Sequence, residues 1–302
     1  MEGNKNSGIT VIIPTYNREK VLSRAISSVV RQTYSDWKLI VVDDASDDGT
    51  LELLELWKKR DPRIDYIRHS ENMGNGCGAR NTGILATATE FIALLDSDDS
   101  WGEHHLEFLV KAIERHPEAS GVFSGSCVRT EERELSKHPA HKGYASIRHM
   151  LIGAGFGGSN SGVLVRREAF VRAGMYDLSL KKKTDMDMWL RIALQGKWIP
   201  VKGCFANIYV DADNRMAAHK PSVFKGKAQY FFKHRSKFRE YGVEHIALRK
   251  LAREAVVNVG SIRLANILLG ASQRANFWYG WYARMYGIKI WLLYQRKKGK
   301  KL

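Results

Sequence analysis

Four short runs of β-branched and aliphatic residues punctuate the first hundred residues: Ile9 to Ile13, Leu39 to Val42, Ile64 to Ile67 and Phe91 to Leu95. Between them, Val21 to Gln32, Leu51 to Trp57 and Ala79 to Leu85 carry apolar residues at helical spacing. Strands alternating with helices need right-handed crossovers, and these build a mainly parallel sheet whose strand ends face one way. Ligands of such sheets bind in the crevice outside the carboxyl ends of the strands. Three polar clusters follow the strands and should share that rim: Pro14-Thr15-Tyr16-Asn17, Asp43-Asp44 and Asp96-Ser97-Asp98-Asp99. Pro14 is expected to stop the first strand.

The last cluster places three carboxylates within four residues directly behind an apolar run. Two readings compete. A hard divalent cation such as Mg²⁺ or Mn²⁺ takes one or two carboxylates together with substrate phosphates. Alternatively, Asp99 or Ser100 caps a helix starting near His104.

Charge divides the chain. Residues 1–218 hold 29 Lys+Arg and 29 Asp+Glu, whereas residues 219–302 hold 19 and 3, so the whole net charge of +16 sits in the last 84 residues. A functional boundary is therefore expected near His219. The tail mixes these cations with Tyr230-Phe231-Phe232, Phe277-Trp278-Tyr279, Trp281-Tyr282, Trp291 and Tyr294, and ends in Arg296-Lys297-Lys298-Gly299-Lys300-Lys301. Aromatic and basic side chains together suit an anionic membrane surface, where each Lys or Arg contributes about 1 kcal/mol. The same composition fits nucleic acid phosphates or a basic helical face packed on the core. Cys77, Cys127 and Cys204 are odd in number and widely spaced with no paired metal spacing, which suggests neither a disulfide framework nor a zinc site and fits a reducing compartment. The first eight residues lack the apolar core of a signal peptide, and no run of eighteen apolar residues exists. A cytoplasmic protein follows, peripheral on the inner face of the cytoplasmic membrane if the tail binds lipid.

Taken in order, Val11 to Arg18, Gln32-Thr33-Tyr34, Val41 to Thr50, Asn72-Met73-Gly74, Ala79 to Gly83 and Asp96-Ser97-Asp98-Asp99 resemble the family 2 glycosyltransferases, inverting enzymes of the GT-A fold. The resemblance covers about residues 8–200. It implies an α/β GT-A nucleotide-diphospho-sugar transferase domain over 1–218, with a nucleotide-binding half at about 8–100 and an acceptor half at about 101–218. A basic, mostly helical region follows over 219–302. It implies a nucleotide-sugar donor, most often a UDP-sugar, a divalent metal, Mn²⁺ or Mg²⁺, and a glycan or lipid-linked acceptor in cell-surface polysaccharide synthesis. No nucleic acid partner is expected, and a homo-oligomer is compatible.

Carried over by position, Pro14, Thr15, Tyr16, Asn17, Asp44, Arg80, Asp96, Ser97 and Arg215 are expected to bind the donor. Tyr16 would stack on the uracil, and Asp44 would accept from its N3–H, since a base reader there must be an acceptor. Asp47-Asp48-Gly49 is turn chemistry. Asp98 is the expected direct metal ligand, with Asp99 and His219 as further ligands. Relatives commonly read Glu-Asp-x-Asp-x-Trp where this chain has Thr184-Asp185-Met186-Asp187-Met188-Trp189. Thr184 replaces the Glu, which leaves Asp185 as general base and Asp187 as the alternate. Asp187 points away from Asp185 on a helix and can pair with Arg191 at i, i+4. Trp189 shares the Asp185 face and, with Gly157, Gly158 and Ser159, is expected at the acceptor.

Two other classes compete. An Asp-x-Asp after a strand also serves haloacid-dehalogenase-like phosphatases, which want it on the first strand. A non-catalytic nucleotide fold binding membrane or nucleic acid through its tail is the other. A dehydrogenase is disfavoured, because no Gly-x-Gly-x-x-Gly follows the first strand.

Overall fold

The computed structural model describes residues 8–141, 145–152, 160–210 and 221–275. Arg215, His219, Gly157, Gly158, Ser159 and the aromatic and basic residues beyond 275 lie outside these. The chain divides into two compact units. The first comprises residues 1–146, 154–178 and 184–211; the second comprises 147–153, 179–183 and 212–302.

In the first unit, β1 (Ile9–Thr15), β2 (Trp37–Asp43), β3 (Ile64–Arg68) and β4 (Phe91–Leu94) pair in parallel in the order β3-β2-β1-β4. They alternate with α1 (Leu22–Val30), α2 (Thr50–Arg60) and α3 (Cys77–Ala86). All seven residues of β1 are buried, as both faces of a parallel sheet require. Helix α1 turns Leu22, Ala25, Ile26 and Val29 inward. Gly83 lets α3 lie close on β1, since a Cβ there would stand 2.6 Å from the Ile12 side chain.

Pro14 does not end β1. The strand runs on to Thr15, with Pro14 opposite Val42 of β2, whereas pairing with β4 stops at Ile12 opposite Leu94. Beyond Ile12 one edge of β1 is open, and the missing N–H of proline costs no ladder bond.

Past β4 the sheet becomes mixed. Strand β5 (Ser100–Trp101), α4 (His105–Glu114), β6 (Ala119–Arg129), β7 (Glu134–His138), α5 (Ile147–Leu151), β8 (Val163–Arg166), α6 (Arg167–Arg172), α7 (Thr184–Ala193) and β9 (Lys197–Tyr209) follow in chain order. Strand β8 is antiparallel to both β4 and β6, while β9 runs parallel to β6. Register shifts between Ala119 and Gly121 and between Phe123 and Gly125 curl this half, as bulges do. The parallel strands β3-β2-β1-β4 thus make one half of the sheet, and the mixed strands β8, β6, β9 and β5 make the other.

His105 is buried against Trp101, with ring centroids 4.8 Å apart and planes 9° from parallel. Burial pushes its pKa down to about 3, against the Phe205 carbonyl that favours the charged form. The unfolded chain therefore binds a proton below pH 6.5 that the folded chain refuses, and stability falls as pH falls. Urea unfolding is expected to show about 2 kcal/mol less stability at pH 5 than at pH 8 from this residue, and His105→Phe should remove that component. An unchanged acid limb in the variant would refute the assignment.

The second unit contains α5 with α8 (Pro221–Lys233), α9 (Arg235–Glu240), α10 (Glu244–Glu254) and α11 (Ile262–Ala275). A single π turn over Ala255–Val259 separates the last two, closed by Gly260 at φ +74°. Tyr230, Phe231, Phe238, Leu248 and Leu251 form its core, so two of the three aromatics at 230–232 are packing residues and only Phe232 is exposed. Glu244 receives hydrogen bonds from Arg235 and Arg239 at 2.7 and 2.9 Å. Glu240 and Glu254 pair with Lys237 and Lys227. Among the described residues no helix is long and apolar enough to cross a membrane.

Candidate active site

The carboxyl ends of β1, β2 and β4 and the N-terminus of α3 border a cleft of about 370 Å³, lined by Pro14, Thr15, Tyr16, Arg18, Asp44, Arg80, Asp96, Ser97 and Asp98 among others. Seven of the expected donor residues and the expected metal ligand are thereby brought together. The cluster behind β4 is not a helix cap: α4 begins at His105, its N-cap residue is His104, and Ser100 belongs to β5.

Local folding separates the two aspartates at the end of β2. Asp43 is fully buried and accepts hydrogen bonds from the Ser46 amide and hydroxyl, with Arg68 3.6 Å away, so it holds the turn. Asp44 faces the cleft. Its carboxylate accepts from the Met73 amide at 3.1 Å and from Nδ1 of His69 at 2.7 Å. With Nδ1 donating, His69 Nε2 accepts the Thr82 hydroxyl at 2.9 Å, so the Asp44 carboxylate is oriented from behind. His69 and Thr82 were not anticipated from the sequence, and neither carries a signal in isolation. Asn17, at φ +51°, does not line the cleft. Its side chain bonds Asp47 in both directions, at 2.6 and 3.0 Å, and ties the β1 loop to the β2 loop. Tyr16 is 45 % exposed and offers a free ring face.

Arg80 is buried and donates to Asp96 at 2.6 Å. Burial opposes its charge, but Asp96 and Tyr176 more than compensate and hold its pKa above the ordinary arginine value. Gly76, at φ +69°, leaves room for the guanidinium, because a Cβ there would lie 3.0 Å from Nη1.

The acidic cluster divides by direction. Asp98 is half-exposed in the cleft, 3.6 Å from Arg18, and its pKa is raised by burial and by Asp96. Asp99 is buried, and its carboxylate accepts from the Ser161 hydroxyl at 2.5 Å and the Tyr209 amide at 3.2 Å. Burial, then the charges of Asp96 and Asp98, push Asp99 up to about 8. Ser161 also accepts from the Asp96 amide at 3.0 Å, so one hydroxyl ties both ends of the cluster to the turn before β8. Among the described residues no three ligating side chains converge into a complete metal site. The half-exposed Asp98 carboxylate would suit a cation that takes one or two carboxylates and completes its shell with phosphates and water.

Helix α7 starts beside α3: the Thr184 hydroxyl bonds the Cys77 thiol, whose pKa is raised by burial and less strongly by Asp185 and Asp177. Asp185 stands on the first turn, partly exposed. Its charge also reaches the buried Tyr176, the ring under Arg80. Asp187 is fully buried and accepts two bonds from Arg191, at 2.9 and 2.6 Å. Trp189 requires a correction. It is 2 % exposed, edge-on to Tyr176 and Trp198 at 6.2 and 5.5 Å, and so offers an acceptor no face; it anchors α7 instead.

The profile of Glycosyl transferase family 2 matches residues 10–173, and the chain belongs to that family. Among curated proteins it is similar to a putative colanic acid biosynthesis glycosyl transferase, WcaA, of Escherichia coli K12, at 26 % identity over 77 % of this chain and 83 % of the relative. It is 42 % identical over 106 residues to an E. coli UDP-Glc:alpha-D-GlcNAc-diphosphoundecaprenol beta-1,3-glucosyltransferase, WfgD, a match covering 35 % of this chain and 40 % of that protein. Two solved structures share the fold. S. aureus TarS 1-349 in complex with UDP-GlcNAc has a TM-score of 0.61 at 16 % identity, covering 97 % of this chain and 92 % of the other. The Pyrobaculum calidifontis mannosyltransferase PcManGT in complex with GDP-Man and Mn²⁺ has a TM-score of 0.61 at 21 % identity, over 97 % and 88 %. A family 2 transferase with its Asp-x-Asp behind β4 leaves no place for the phosphatase alternative.

Proposed function

We propose that the chain is a metal-dependent, inverting glycosyltransferase that moves a sugar from a UDP-sugar to a hydroxyl of a lipid-linked or cell-surface glycan. The observation that carries this reading is the convergence of Tyr16, Asp44, Arg80, Asp96 and Asp98 on one cleft at the strand ends. The bound UDP-GlcNAc of TarS and the diphosphoundecaprenol acceptor in the name of WfgD support the choice of donor and acceptor class.

Tyr16 stacks on the base, and Asp44 accepts its N3–H, a charge-assisted bond that cytosine cannot make in the same way. Asp96 faces the ribose side, held by Arg80. Asp98 would hold a divalent ion, Mn²⁺ or Mg²⁺, and such an ion when bound would supply Lewis-acid stabilisation of the leaving diphosphate. Asp99 keeps the loop in place through Ser161. Asp185 takes the proton of the acceptor hydroxyl as that oxygen bonds to the anomeric carbon from the face opposite the leaving group, and the carbon–oxygen bond to the diphosphate breaks.

The base reading can be tested with Asp44→Ala. UDP affinity is expected to fall by about tenfold to a hundredfold, the loss of one charge-assisted bond of ~1.5–3 kcal/mol, in calorimetric titration. Undiminished UDP binding would remove Asp44 from the donor site.

A further inference from the structure

A second cavity, of about 340 Å³, lies wholly within the helical unit, between α8, α9 and α10 and the end of α5. Its wall is divided in character. Phe231, Leu251 and Leu151, all buried, are its apolar lining, while among the described residues Lys183, Lys227, Lys250 and Arg253 bring four cations to one carboxylate, Glu254. Lys227 is paired with Glu254, which also accepts from Asn258. Lys250 makes a 2.6 Å hydrogen bond to the Ile152 carbonyl, a neutral acceptor. Burial, and then the charges of Lys183 and Lys227, lower the Lys250 pKa. Lys183 is also held at φ +64°, a conformation costly for a residue with a side chain and retained where surroundings impose it.

A pocket that combines surplus positive charge with an aromatic and aliphatic lining is complementary to an anion carried on a hydrocarbon chain. We propose that this cavity binds the phosphate-bearing segment of an amphiphile, a phosphate or diphosphate ester of an apolar chain, as the seat of the lipid portion of the acceptor. The proposal rests on the reading of the acceptor as lipid-linked. Lys183 stands two residues before Asp185 in the chain.

The test is calorimetric titration of the full chain in EDTA with three probes: farnesyl diphosphate, inorganic diphosphate and farnesol. Farnesyl diphosphate should bind, and each partial probe should bind at least about tenfold more weakly. Lys250→Gln, and separately Lys183→Asn, which suits a positive φ, should each weaken farnesyl diphosphate by about tenfold, ~1.4 kcal/mol. Equal binding of inorganic diphosphate would make this a plain anion site, and equal binding of farnesol a plain apolar one. Either result overturns the proposal, as does no binding or an affinity unchanged in both variants. UDP titrated into the same protein with Mn²⁺ separates the two readings. Loss of UDP binding alone would sink the donor site and spare this cavity; loss of farnesyl diphosphate binding alone would do the reverse.

Discussion

Asp98→Asn is expected to lower metal-dependent transfer by about 10³-fold, the several kcal/mol that a correctly held divalent ion contributes to a leaving diphosphate. The fold should not suffer. Asp98 is half-exposed and raised in pKa by burial and by Asp96, so removing its charge relieves a repulsion and gives up only a solvent-exposed ion pair with Arg18, a contact of little worth. Thermal unfolding without metal should be unchanged or slightly later. Initial rates over a Mn²⁺ series, measured beside melts of the same preparations, give the comparison. A variant with wild-type turnover would place the ion elsewhere.

Asp185→Asn is the second large effect. An amide of the same shape cannot take the acceptor proton, and loss of a general base costs about 10²–10⁴-fold in turnover. Asp185 is not among the residues lining the donor cleft, so UDP-sugar affinity should be retained. The split is the informative result: kcat lost, donor Kd kept. Asp187→Asn should behave differently, because Asp187 is buried and carries the Arg191 fork. Its deficit should appear as lost stability, of about 3–5 kcal/mol for one partner of a buried ion pair. If Asp187→Asn were stable and inactive while Asp185→Asn stayed active, the two roles would be exchanged.

Much of this site was readable in the sequence because strand ends in a parallel sheet are forced onto one rim. Four apolar runs and the polar residues behind them were enough to assemble Tyr16, Asp44, Asp96 and Asp98. What was not readable depends on partners distant in sequence. Nothing local distinguishes Asp43 from Asp44, or Asp98 from Asp99; Ser46, His69, Ser161 and Tyr209 decide which carboxylate turns inward. Trp189 shares a helical face with Asp185, but one face of α7 runs from the partly exposed Asp185 to the core, and helical spacing cannot say where along it the solvent ends. Pro14 looked like a strand terminator because proline lacks a donor, and only the early end of β4 pairing shows that no acceptor wanted one. Composition marks a change near His219, but it carries no trace of residues 147–153 and 179–183 joining the helical unit, since those segments are too short to shift a charge balance.

As a nucleotide-sugar site requiring a divalent ion, the cleft at the ends of β1, β2 and β4 should respond to donor and metal together. Thermal unfolding of the full chain with a panel of UDP-, GDP- and TDP-sugars, each with Mn²⁺ and with EDTA, tests it most directly. A rise in midpoint with at least one UDP-sugar, present with Mn²⁺ and lost in EDTA or in Asp98→Asn, is the predicted result. No stabilisation by any nucleotide-sugar, or stabilisation indifferent to both the metal and Asp98, would contradict it.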